Sequence, residues 1–350
     1  MRLLCFADLQ AHCSIARCFH DPTLPLQRWR VQKFFQLLIE LKETHRCDGL
    51  LDLGDTLDDR RSVSLPTLHT VLEGLQPFKG GYNLRVNGNH DLHSKSNSVH
   101  NGHMFDAIFD TEPGVGARVL PDGSGVMVLS SYTQDGAALA ESLRAIADSH
   151  PVRTPMFFGG HLTVRGAKLP GGVDAEGGIV TSLFDDYDVA LLGDIHLPQQ
   201  IGNAHYVGSP FQQDFGEANQ QKRVGMLDTI LQTVEWVPVT GFPVHRVVSA
   251  DAFSLMDHSY VSTTEDRLRV VLDNAEQAER FYAHRYAHRV EPVYAFTRQE
   301  ETPVEAPATP VDWSLQAAVA RYVETNSPAS RGINISSGDL TDFGVSIAGS

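Results

Sequence analysis

Five short segments carry side chains able to hold metal ions: Asp8-Leu9-Gln10, Gly54-Asp55, Gly88-Asn89-His90-Asp91, Gly159-Gly160-His161 and Gly193-Asp194-Ile195-His196. Each follows an apolar run, where a buried strand would end, so the set brings carboxylates, an amide and imidazoles to several strand ends. That is enough for two divalent ions. A pair of ions about 3.5 to 4 Å apart needs a shared carboxylate, and it clamps both the attacking and the leaving oxygen of a phosphoryl displacement. Asp55 is the bridging candidate. Oxygen and imidazole donors without thiolate favour Mn²⁺, with Mg²⁺ or Fe as alternatives. Taken singly, Asp8, Asp55 and Asp194 read as turn formers or helix N-caps. Their ordered recurrence with Asn89, His161 and His196 is what points to chemistry.

In this order the motifs resemble those of the calcineurin-like metallophosphoesterase superfamily, over the first two thirds of the chain. Tyr206-Val207-Gly208-Ser209-Pro210 and Asp214-Phe215-Gly216-Glu217 narrow the resemblance to SbcD-type nuclease subunits of double-strand-break repair. The resemblance implies one ion held by Asp8, Gln10, Asp55 and His196, and a second held by Asp55, Asn89, His161 and Asp194. It also implies that His90 assists the scissile phosphate or the departing oxygen as a general acid, with Asp91 orienting its ring. Two positions depart from the family pattern. Gln10 stands where the family has histidine, and its neutral amide is the weaker donor, with His12 close enough in sequence to compensate. Asp194 also replaces a histidine, and a carboxylate suits Mn²⁺ or Mg²⁺ well. Asp52, Asp58 and Asp59 read as solvated loop or cap residues.

The elements that must position these residues follow from hydrophobic periodicity. Strand-like runs at Arg2 to Ala7, Gly49 to Leu53, Leu84 to Val86, Gly125 to Ser130, Met156 to Phe158 and Val189 to Leu192 alternate with helical stretches. The helical stretches are Trp29 to Leu41, Leu65 to Leu75 and Ala137 to Ser149. Such alternation indicates an α/β fold, and the resemblance implies a two-sheet sandwich flanked by helices. Lys168 to Gly178, rich in glycine, reads as a flexible loop. Met226 to Val237 reads as paired strands.

Residues 1–240 are expected to form the catalytic domain. Residues 241–297 would form a small α+β capping domain, in the order strand, strand, helix, strand, that helps to select DNA by family resemblance. The proline-bearing stretch 298–312 has the composition of a linker. Within 313–350, Trp313 to Thr325 has one apolar helical face, and resemblance makes it the segment that docks on an SMC-like ATPase.

The chain has 350 residues, 42% of them hydrophobic, enough for one large core and a smaller unit. Its four cysteines, all within the first 50 residues, suggest no disulfide framework. The apolar start is broken at once by Asp8, so it reads as a strand rather than a signal peptide. No run reaches the ~20 apolar residues of a membrane helix, and a cytoplasmic location is expected. A formal net charge of −15 argues against a free-standing DNA binder, because affinity for the phosphate backbone comes from Lys and Arg. It favours a nuclease subunit with a basic partner, and the resemblance implies that such a subunit acts on DNA ends as an exonuclease and endonuclease. Two rivals are a phosphomonoesterase of the same superfamily and a weakly catalytic scaffold subunit, suggested by Gln10. Family members often form homodimers, though no face in the sequence identifies such an interface.

Overall fold

The computed structural model describes residues 1–12, 25–93, 100–151 and 153–295. Two compact units divide the chain, Met1–Phe296 and Thr297–Ser350. The second unit, with the expected linker and docking helix, lies outside the described residues, as do Cys13 and Cys18.

In chain order the first half contains β1 (Arg2–Phe6), α1 (Leu26–His45), β2 (Gly49–Asp52), α2 (Leu65–Leu75), β3 (Leu84–Val86), β4 (Asp110–Glu112), β5 (Val115–Val119), β6 (Val126–Ser130) and α3 (Gly136–Asp148). There follow β7 (Met156–His161), β8 (Val189–Gly193), β9 (Gln199–Ile201), β10 (Ala204–Tyr206), β11 (Arg223–Asp228) and β12 (Thr233–Pro238). The last elements are β13 (His245–Ser249), α4 (Ala250–Ser254), α5 (His258–Thr263), β14 (Arg267–Leu272), α6 (Ala275–Ala283) and β15 (Glu291–Tyr294).

Two six-stranded sheets result, in the orders β12-β11-β1-β2-β3-β4 and β5-β6-β7-β8-β10-β9. Side chains alternate across each strand, so β1 turns Leu3 and Cys5 one way and Leu4 and Phe6 the other. The first set, with Leu51, Leu84 and Val86, meets Met127, Leu129, Phe157 and Leu191 of the second sheet in one buried cluster. Leu4 and Phe6 instead pack under Val31, Phe34, Phe35 and Leu38 of α1, whose spacing of three or four residues makes a single apolar face. On the outer side of the second sheet, Val126, Val128, Phe158 and Leu192 meet Leu139 and Leu143 of α3. The layers are therefore helix, sheet, sheet, helix, which is the sandwich expected from the sequence. Local signals set the helix starts: Ser64 accepts from the Thr67 amide at α2, and Asp135 from the Ala137 and Ala138 amides at α3.

The central strands β1, β2, β3 and β4 are mutually parallel, as are β6, β7, β8 and β10. Their carboxyl ends emerge on the same side within each sheet, where ligands of open α/β sheets bind. The Lys168 to Gly178 segment is tied down rather than loose. Gln199 brackets Lys168 with hydrogen bonds of 2.7 and 2.8 Å, and Ala167 and Ala175 are buried. Gly171, Gly172 and Gly178 take positive φ within it.

A third sheet, β13-β14-β15, has its own core of Phe253, Val261, Leu268, Val270, Leu272 and Phe281. All three strands are parallel. Parallel neighbours cannot be joined by a hairpin, so α4 and α5 intervene between β13 and β14. The expected order of two successive strands is corrected accordingly. Among the described residues, no helix is long and apolar enough to cross a membrane.

Candidate metal centre

Each predicted ligand loop leaves the end of a parallel strand. Asp8 follows β1, Asp55 follows β2, and Asn89 and His90 follow β3; from the second sheet, His161 ends β7, and Asp194 and His196 follow β8. Hydrogen bonds stitch these ends together within the first sheet and across the seam to the second. The Asp8 amide donates to the Gly54 carbonyl at 3.0 Å, and the Gln10 amide to the Asp55 carbonyl at 2.9 Å. Asp194 donates from its amide to both carboxylate oxygens of Asp8 at 3.2 Å.

The backbone bends sharply to achieve this. Asp8, Gln10, Asp55 and Asp194 have φ of 54, 45, 57 and 93°, the left-handed region that non-glycine residues rarely enter. They are therefore not helix N-caps. Two glycines are needed for close approach: a Cβ at Gly88 would lie 2.0 Å from Asp55 Oδ1, and one at Gly54 would lie 2.6 Å from the Gly88 nitrogen.

Donor atoms of Asp8, Asp55 and His161 lie within 4.8 Å of one another, and all three residues are buried. His161 Nδ1 faces the Leu53 carbonyl at 2.7 Å and is fixed as the donor there. Its Nε2 then directs a lone pair at Asp55 Oδ2, 3.4 Å away, and at Asp194 Oδ1, 3.7 Å away. Acceptors facing acceptors require a cation or a proton between them. Burial pushes the Asp8 carboxyl up to about 6, against the pull of His161 and His196. At His161 burial opposes the charged form, but Asp55, Asp8 and Asp194 outweigh it and raise the imidazole well above its ordinary value. Asn89 Oδ1 and His161 Nε2 are both buried without a hydrogen-bond partner. Carboxylates, an amide oxygen and an imidazole with its outer nitrogen already anchored fit a divalent ion that prefers oxygen and nitrogen donors.

His196 is oriented in the same manner. Its Nδ1 faces Glu217 Oε1 at 2.6 Å, leaving Nε2 available. Glu217 is buried and is held by Lys222 at 2.6 Å and by the Ser209 hydroxyl at 3.1 Å. Although burial alone would raise its pKa, His196 and Lys222 bring it down to about 2. The Gly-Ser-Pro and Phe-Gly-Glu segments thus act through one imidazole. Lys222 gave no signal in the sequence.

The Gln10 carbonyl accepts from Gln27 Nε2 at 3.4 Å. His12 borders a pocket with Asp58 and Asp59.

The role expected of Asp91 requires a correction. The Asp91 carboxylate is committed away from the His90 ring: Oδ2 accepts from the amides of Asp55 and Gly88 at 2.9 and 2.8 Å, and Oδ1 pairs with Arg85 at 2.9 Å. The imidazole is held by Asp58, whose carbonyl oxygen contacts Nδ1 and whose Oδ1 lies 3.5 Å away. The His90 amide donates to Asp55 Oδ1 at 2.8 Å, so this loop also positions the bridging candidate.

Asp52 also differs from its solvated reading. It is 1% exposed and pairs with Arg85 at 2.9 Å. Arg85 is itself 0% exposed and bridges Asp52, Asp91 and the Asn87 side chain. The two strands place Asp52 and Arg85 in register. One charge within each of two short apolar strands is the signal of this pair in the sequence.

Removing one partner of a buried ionic group strands the others. Arg85→Met is expected to cost about 3–5 kcal/mol, read from the denaturant midpoint. Gly88→Ala should displace Asp55 and abolish most of any Mn²⁺-induced rise in melting temperature, because only a ligand that binds the native state raises it.

No family model matches the chain. The chain is similar to exonuclease subunit 1 of Enterobacteria phage T4, with 23% identity over 212 residues, which is 57% of this chain and 58% of that protein. It therefore spans under two thirds of that relative's length. Among solved structures, it overlaps Yfce, a phosphoesterase from E. coli, with a TM-score of 0.33 and 15% identity over 69% of this chain and 100% of the other. A dimetal phosphatase from Danio rerio gives a TM-score of 0.37 and 12% identity over 69% of this chain and 98% of the other.

Proposed function

We propose that this chain is a metal-dependent phosphodiesterase that hydrolyses DNA, working as the nuclease subunit of a complex with an SMC-like ATPase. The carrying observation is the seam between the sheets, where buried carboxylates face the unpartnered donor atoms of His161 and Asn89. One ion would be held by Asp8, Gln10, Asp55 and His196, and the other by Asp55, Asn89, His161 and Asp194. Such a pair supplies Lewis-acid charge to the phosphate oxygens.

The remaining roles belong to the chain itself. With Nδ1 of His90 turned to Asp58, Nε2 is the nitrogen left to face a substrate. From Nε2 the ring would donate to the departing oxygen. Asp58 fixes the orientation, while Asp91 and Arg85 brace the loop beneath. Glu217 and Lys222 hold the His196 ring from behind. Nucleic acid as substrate is supported by the similarity to the phage exonuclease subunit. The ATPase partner is supported by the Tyr-x-Gly-Ser-Pro resemblance and by the segment after residue 297. A net charge of −15 favours one alternative, a phosphatase for small or protein phosphoesters.

End-labelled linear duplex and single-stranded DNA with Mn²⁺ should be cut by the wild-type chain. His90→Ala should slow cutting by about 10²- to 10⁴-fold, the usual worth of a general acid, and Asp55→Ala should abolish it. Rapid turnover of a small phosphomonoester with no cutting of DNA would establish the alternative.

A further inference from the structure

An acidic protein must concentrate its positive charge wherever it holds phosphate. One pocket beside the seam does so. It has a volume of about 110 Å³ and is lined by His12, Gln27, Arg30, Gln213, His245 and Arg267, with Leu26 at its edge. Its walls come from α1, from the loop ahead of Glu217 and from the third sheet, and two of them touch the first ligand loop. Gln213 Nε2 donates to the Leu9 carbonyl at 3.4 Å and Gln27 Nε2 to the Gln10 carbonyl at 3.4 Å. The pocket therefore adjoins the two residues that follow Asp8.

Its inner end is unusual. His245 is 2% exposed, and its Nδ1 is buried without a hydrogen-bond partner. The backbone fixes the residue, since its amide donates to Gln212 Oε1 at 2.6 Å. Phe215 packs against the ring with centroids 4.8 Å apart. Burial first, then Arg30 and Arg267, lower its pKa to about 4, against weaker opposition from Asp214 and Glu217. A neutral imidazole can carry its proton on Nδ1, the nitrogen without a partner, and His245 lines the pocket. Arg30 is anchored as well, donating to the Pro243 carbonyl at 3.5 Å and lying over the Phe211 ring. Two guanidinium groups and one buried imidazole line a single pocket, and these are donor types that bind a tetrahedral oxyanion.

We propose that this pocket binds a phosphate oxyanion, favouring a backbone phosphate of the strand whose neighbouring phosphodiester lies at the seam. The assignment rests on the phosphodiesterase reading above, and it makes Arg267 a residue that sets substrate register. It also gives the third sheet a direct part in holding substrate, through His245 and Arg267.

The test uses the full chain, Arg267→Gln, and Arg285→Gln as an exposed control on the same unit. Fluorescence anisotropy of a labelled single-stranded oligonucleotide is measured with Ca²⁺ across a salt series. Inorganic phosphate is titrated calorimetrically in EDTA. Arg267→Gln should weaken oligonucleotide binding about five- to tenfold and reduce the salt slope by about one, while Arg285→Gln does neither. Loss of inorganic phosphate binding alone would keep the oxyanion pocket but make free phosphate its ligand. Unchanged binding of both probes in Arg267→Gln would overturn the proposal. Wild-type hydrolysis of bis-p-nitrophenyl phosphate with Mn²⁺ separately tests the enzymatic reading, so failure of one is distinguishable from failure of the other.

Discussion

Asp8, Asp55 and the partly exposed Asp194 are drawn together at the seam between two sheets, and buried carboxylates such as Asp8 and Asp55 persist only where positive charge compensates them. The groups that act on Asp8 most strongly after burial are His161, His196, Asp55 and Asp194. Imidazoles whose outer nitrogens are already anchored cannot balance that set as neutral ligands. On the proposed reading divalent cations supply that balance, and the surrounding contacts hold the ligand loops in place for them.

Two ionic braces do this from opposite sides. Beneath the β2 and β3 ends, Arg85 joins Asp52 and Asp91, and Asp91 fixes the Asp55 and Gly88 amides. Behind the β8 end, Lys222 and Glu217 hold His196. Both braces are buried; Lys222 and Glu217 pair one for one, whereas Arg85 faces two carboxylates. The left-handed backbone at Asp8, Gln10, Asp55 and Asp194 is the strain that these contacts offset.

Much of this was legible in the sequence because strand-end chemistry is written in consecutive residues. Apolar runs ended within a residue of the strand ends except at β7, which continues past Phe158 to His161; α2 was placed at its observed bounds, and the five motifs converge on two adjoining sheet ends. What escaped was non-local. The pairing of Asp52 with Arg85 depends on strand register. Asp58 replaces Asp91 beside His90 because the loop after β3 turns the Asp91 carboxylate inward. The helices α4 and α5 were missed because each is only five or six residues long, too short to display a helical period. Basic residues of the phosphate pocket are scattered from Arg30 to Arg267, and only folding gathers them.

The most direct test of the central claim is the anomalous scattering of crystals equilibrated with Mn²⁺. Two peaks about 3.5 to 4 Å apart on either side of the Asp55 carboxylate are expected, one near Asp8 and His196 and the other near Asn89, His161 and Asp194. A single peak, or none at Asp55, would contradict a two-ion centre and leave the buried carboxylates to be balanced by protons.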